Sequence, residues 1–268
     1  MTTKAYIGTA DALYAGRAYD GALYLLNGMK GRPVSLLTKV DLGTPAVAVA
    51  DAMIKAATST ELPNNTTITY SAGDGVASPL DSASLPTTTT ISTADGTVTV
   101  WPLTHPRNIT CAATHSSSLV AMTITITGYD RYRQKQVKTL TISATGTSKT
   151  DATTATFAYI KSIAVTSAGN ATTNTLNVGF GDVLGLPYFL EEKMDLIQVS
   201  FDDAVDTGTT TVVAGVTTTP SATSGDVRGT IDIDATLNGA KKLKAIMHIS
   251  DTYAATARGL LGKVPYAG

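Results

Sequence analysis

From Thr66 onward, apolar and polar residues alternate with period two. TITY (67–70), TVTV (97–100) and MTITIT (122–127) each set an apolar residue against threonine, the pattern of a strand with one buried face. In the last, Met122, Ile124 and Ile126 are expected inward and Thr123, Thr125 and Thr127 outward. KTLTISATG resumes the alternation through Leu140 and Ile142, which predicts a long hairpin whose tip is YDRYRQKQ, just after Gly128. FAYIKSIAVTSAGNATTNTLNVG predicts two more strands around an Ala168-Gly169-Asn170 turn. LIQVSF (196–201), TTTVVAGV (209–216), GTIDID (229–234) and KKLKAIMHIS (241–250) complete the series. Strands at roughly ten-residue spacing, joined by Gly and Asn turns, predict an all-β fold: an antiparallel β-sandwich, jelly-roll or Ig-like.

The N-terminal third reads differently. Thr44-Pro45 before AVAVADAMIKAA predicts an N-cap, a proline in the first turn and one short helix that ends by Leu62-Pro63. Residues 1–40 hold neither period and predict an irregular arm carrying Tyr6, Tyr14, Tyr19 and Tyr24. Such an arm either lies on a neighbouring subunit or packs on its own domain. The loop SLPTTTTIS (84–92) is the expected boundary between a region at 1–90 and a sandwich domain at 91–268.

Composition narrows the function classes. Charged residues are 15% of the chain, apolar residues 43% and the formal net charge is −1. No global field therefore recruits nucleic acid or an anionic membrane. One cysteine, Cys111, excludes an intramolecular disulfide and any multi-thiolate zinc site. No secretory signal or membrane-spanning run is expected, and the chain is expected in a reducing cytoplasm.

The stretches that look like chemistry fail one by one. NVGFGDVLGLPY (177–188) has G-x-G-x-x-x-G where a dinucleotide fingerprint needs G-x-G-x-x-G, and Pro187 falls where its helix should run. It is expected to be a turn, with glycines at positive φ and Val183, Leu184 and Leu186 in an apolar pocket. DIDATLNG (232–239) has Leu237 where a calcium loop needs glycine. Cys111 with His105 or His115 is a thiol–imidazole pairing, but Cys111 reads better as a small buried strand residue. His248 stands alone, and no histidine spacing supports zinc. No catalytic residues, cofactor or metal are expected, so an enzyme is not.

Basic and aromatic residues do alternate at the hairpin tip, in Tyr129, Arg131, Tyr132 and Arg133. Nucleic acid is the weaker reading of them and an intersubunit contact the stronger one.

Several phrases together resemble a family of tailed-bacteriophage virion structural proteins. These are HPRNITCAATHSSS, ITGYDRYRQKQVKTLTIS, FAYIKSIAVTSAGNATTNTLNVGFGDVLGLPY and SGDVRGTIDIDATLNGAKKLKA, spanning about residues 100–245 and most specific at 177–188. The resemblance implies a β-rich, non-enzymatic building block, a capsid decoration or cement protein. It would assemble in the host cytoplasm, as a dimer or trimer, onto the major capsid protein or other virion proteins. A head-fibre or tail component is the neighbouring alternative. From a different class, a carbohydrate-binding sandwich would use Trp101, Tyr129 and Tyr132 to stack on sugars.

Overall fold

The computed structural model describes residues 35–57, 62–74, 80, 85–167, 174–188, 190, 192–215 and 229–250. The arm tyrosines Tyr6, Tyr14, Tyr19 and Tyr24 lie outside them. The described chain is an all-β antiparallel sandwich, and its one helical turn is a 3-10 turn at Lys193–Asp195.

Fourteen strands are formed by the described residues: β1 (Ser35–Asp41), β2 (Val49–Ala57), β3 (Thr67–Ser71), β4 (Thr89–Thr93), β5 (Gly96–Thr114), β6 (Met122–Tyr129) and β7 (Lys135–Ile142) come first. They are followed by β8 (Ser148–Ser167), β9 (Thr175–Gly185), β10 (Leu196–Phe201), β11 (Ala204–Val205), β12 (Thr211–Ala214), β13 (Gly229–Asp232) and β14 (Leu243–Ser250). A ten-stranded sheet runs β12-β13-β9-β5-β8-β6-β7, with β2 on β9, β3 on β8 and β4 on β5. A four-stranded sheet runs β11-β10-β14-β1.

The period-two alternation placed most of these strands, but not β4: residues 89–93, within and just after the stretch SLPTTTTIS (84–92) expected as a loop, pair with β5 from Thr89↔Val100 to Thr93↔Gly96. Met122, Ile124 and Ile126 are buried, and β6 pairs with β7 from Met122↔Ile142 to Tyr129↔Lys135. Asp130 closes this hairpin: its Oδ1 accepts from the Tyr132 amide (2.7 Å) and the Gln134 amide (3.0 Å), an Asx-type turn.

The expected helix is not there. Residues 49–57 form β2, which pairs along β9 at Phe180↔Val49, Val178↔Ile54 and Leu176↔Ala57. Register shifts between those pairs bring Ala52, Met53, Ile54 and Ala57 all into the core, a set that neither clean period would bury. An unfilled edge of β9 offers backbone partners that outweigh the helix preference of alanine.

A boundary near residue 90 is not there either: β2 and β3 pair into β9 and β8, and β1 pairs with β14. The buried residues divide the molecule differently. A larger core runs from Met53 to Val178 in sequence and contains Trp101, Ile109, Ile124, Phe157 and Ile163. A smaller core joins Val40 and Leu42 to residues between Leu184 and Met247, among them Phe201, Ile231 and Leu243. The smaller lobe is thus built from two separated pieces of chain, with the larger lobe inserted between them. The chain crosses from one to the other twice, between Leu42 and Met53 and between Phe180 and Leu184.

Candidate functional site

Both crossings meet at one side chain. Strand β5 carries the sequence PRNI at 106–109, and its pairing with β8 shifts register between Pro102 and Arg107. That irregularity falls where β5 also loses step with β9: Phe180 pairs with Ile109 and Leu184 with Arg107, so residues 181–183 of β9 bulge between them. Arg107 is buried, 3% exposed, on a strand whose inner face is apolar at Ile109, Cys111 and Ala113. Such a charge needs its donors satisfied. One guanidinium nitrogen donates to the Gly181 carbonyl at 2.9 Å, on the second crossing. The other donates to the Ala46 carbonyl, on the first. The guanidinium also lies over the Phe180 ring, 5.2 Å from its centroid. Burial pulls its pKa down and the Asp182 carboxylate pulls it back up. A guanidinium is so strong a base that the group stays charged.

Asn108 completes the grip. It is buried, and its Oδ1 accepts from the Val183 amide at 3.2 Å, within the bulge. A Cβ on Gly181 would stand 2.6 Å from that same oxygen, and one on Gly179 would stand 1.9 Å from the Val49 carbonyl. These glycines therefore serve close approach. The expectation of a turn with positive φ at 177–188 is corrected: residues 175–185 are strand β9, and neither Gly179 nor Gly181 has positive φ. Leu184 and Leu186 do enter the smaller core, while Val183 stays half-buried.

Two further contacts cross the seam. The Tyr132 hydroxyl donates to the Pro187 carbonyl at 2.9 Å, tying the β6–β7 hairpin to the start of the smaller lobe. His105 lies against Gly43: a Cβ there would meet its Nε2 at 2.9 Å, and φ is +75°. Burial, then the neighbouring Arg107 charge, lowers the His105 pKa from its ordinary 6.5, against the opposing pull of a backbone bond to Leu42.

The hairpin-tip residues therefore divide. Tyr129 is fully buried, with Ile91 and Val100, so it is withdrawn from the expected contact surface. It belongs to the apolar end of β6, where an aromatic ring loses more by facing water than it gains. Tyr132 is half-buried with its hydroxyl engaged, and Arg131 and Arg133 are exposed.

The remaining candidates sit apart. Cys111 is buried in β5, and burial, then the Asp151 carboxylate, pushes its thiol from 9.0 to about 12, so it carries no thiolate at neutral pH. It borders a shallow, open depression of about 650 Å³ lined by Ala48, Ala50, Thr110, Ala112, Ala152 and Phe180, with no histidine in its wall. His115 Nδ1 accepts from the Ser117 and Ser118 amides, each at 2.8 Å, which caps a loop. Among the described residues, no group of three or more His, Cys, Asp or Glu is placed to hold a metal ion.

Arg107 and Asn108 entered the sequence reading only inside a quoted phrase. The signal was available: an arginine and an asparagine directly before Ile109, Cys111 and Ala113 put polar groups where the strand is about to be buried.

No protein-family model and no curated protein matches the chain. Among solved structures, a Family 11 carbohydrate-binding module from Clostridium thermocellum, in complex with a β-1,3-1,4-mixed-linked tetrasaccharide, aligns at 15% identity. The alignment covers 51% of this chain and 97% of that one, with a TM-score of 0.21. A likeness at that level carries no argument about ligand.

Proposed function

We propose that this protein is a structural component of a tailed-phage virion, a capsid decoration or cement protein that binds across capsid subunits as a homo-oligomer. The observation that carries the reading is where the phrases of the resemblance meet. PRNI, the YDRYRQ hairpin and VGFGDVLGLP come from three parts of the sequence, and Arg107, Asn108 and Tyr132 of the first two bond to the backbone of the third at the seam. What these phrases specify is thus a scaffold that holds two lobes together, the role expected of a building block.

Partner contact falls to exposed groups such as Arg131 and Arg133 at the hairpin tip. A protein that binds only the assembled shell stabilises it by mass action, in proportion to how tightly it holds that state. The major capsid protein is the proposed partner and the virion the proposed location. The sugar-binding alternative loses its platform, because Trp101 is 3% exposed and Tyr129 not at all, leaving Tyr132 alone of the three named aromatics.

Electron microscopy of purified particles, with the protein located by labelling, tests the proposal. Hundreds of copies on the shell are expected. A dozen or fewer would move it to a vertex or the tail, and absence from the particle would refute the structural role.

A further inference from the structure

We infer that Arg107 is a lock on the angle between the two lobes. The inference rests on the fold and stands whether or not the protein belongs to a virion.

A two-lobed chain joined by two crossings has the connectivity of a hinge. The crossings here are built for movement. One runs through Gly43 at φ +75° and the irregular segment to Val49, and the other through the unpaired bulge at 181–183 followed by Gly185. Short, small-residue segments free of ladder hydrogen bonds are where a backbone absorbs rotation.

Arg107 removes that freedom. It sits on β5, inside the larger lobe's sheet, and its fork spans the carbonyls of Ala46 and Gly181, one on each crossing. A guanidinium can do this because its donors diverge in a fixed plane; an ammonium, with its charge at one point, cannot reach both in the same way. Phe180 beneath the fork fixes the plane of the group. Around this centre, Asn108 holds the Val183 amide, and the Gly239 amide of the smaller lobe donates to the Pro45 carbonyl at 2.9 Å. With the fork in place, neither crossing can swing without breaking a charge-assisted bond in a buried site, and the other crossing is held by the same group. The two lobes then behave as one body.

The test uses the full chain with spin labels at Thr139→Cys on β7 and Val205→Cys on β11. Both positions are exposed, and the native Cys111 is too buried to label. The parent protein is expected to give a single narrow interlobe distance. Arg107→Met, which keeps the stem and removes both donors, is expected to broaden the distribution at least twofold, and Arg107→Lys to fall between. Equal widths in all three proteins would overturn the inference.

A measurement on the unsubstituted protein covers the case in which Arg107→Met does not fold. Native-state hydrogen exchange should show the Val183 amide, on one crossing, and the Gly239 amide, bonded to the other through the Pro45 carbonyl, opening together with the same denaturant dependence. Independent opening would overturn the lock.

Discussion

The two lobes solve the same problem with different chains. The larger one is made of long strands: β6 and β7 join through a short turn, and both edges of the 20-residue β8 are paired, by β5, β3 and β6. The smaller one draws β1 from before the insertion and the end of β9 with β10 to β14 from after it, so its β1–β14 ladder joins Ser35 to Ser250. The larger lobe contains two local hairpins, β4–β5 and β6–β7, beside its long-range β5–β8 and β2–β9 pairings. The smaller lobe's closing contact spans most of the chain, at a high cost in loop closure. The difference teaches that the smaller lobe depends on the larger one holding its two pieces near each other, and the reverse does not follow.

That asymmetry is open to attack. The largest effect is expected from Phe157→Ala, which hollows the larger core at a fully buried ring and costs about 3–5 kcal/mol. Both lobes should be lost together, read as one transition by the fluorescence of Trp101, the single tryptophan, and by circular dichroism. Leu243→Ala, in the smaller core, costs about 2–5 kcal/mol. Here Trp101 should keep its native emission and Cys111 should stay closed to thiol reagents while the smaller lobe melts. Concerted loss in both variants would remove the asymmetry.

A sharper probe is Gly179→Ala. The added methyl meets the Val49 carbonyl, so β2 must leave β9, at about 1–3 kcal/mol or more. Exchange protection should fall in residues 49–57 first. Tyr132→Phe comes next: it deletes the bond to Pro187 and is expected to cost about 1 kcal/mol, with a lower melting temperature for the smaller lobe.

Titration separates the larger lobe from the seam. Below pH 9 the Cys111 thiol is protonated in both folded and unfolded chains. Above it the unfolded chain ionises first, because the folded value is about 12. The larger lobe should therefore lose stability from about pH 9 towards 12, by at most about 1.4 kcal/mol per pH unit, and Cys111→Ala should flatten that slope. His105 has the opposite sense. Its folded pKa is lowered, so its contribution is present above 6.5 and fades as acid protonates the unfolded chain more readily. Acidification should loosen the seam slightly, seen as a lower protection factor at the Val183 amide once its rate is divided by the intrinsic rate at each pH.

The alternation of threonine with Val, Ile and Leu was enough to reveal most strands between Thr67 and Ser250, the β6–β7 hairpin and the all-β class, though not β4 or the second half of β9. Each strand buries one face, and that requirement is written locally at period two. Three features had no local signature. Alanine-rich residues 49–57 carry helix propensity, yet a free edge on β9 made them a strand. The glycines of VGFGDVLGLP looked like a turn, because close approach of β2 and of Asn108 is a property of neighbours far away in sequence. The division into lobes was hidden as well, since only the folded chain brings Val40 to Leu243 and puts one guanidinium between Ala46 and Gly181. Periodicity records which way a side chain faces. Which strand waits on the other side is decided by pairing across the whole chain, where backbone hydrogen bonding and burial outweigh what any short segment prefers alone.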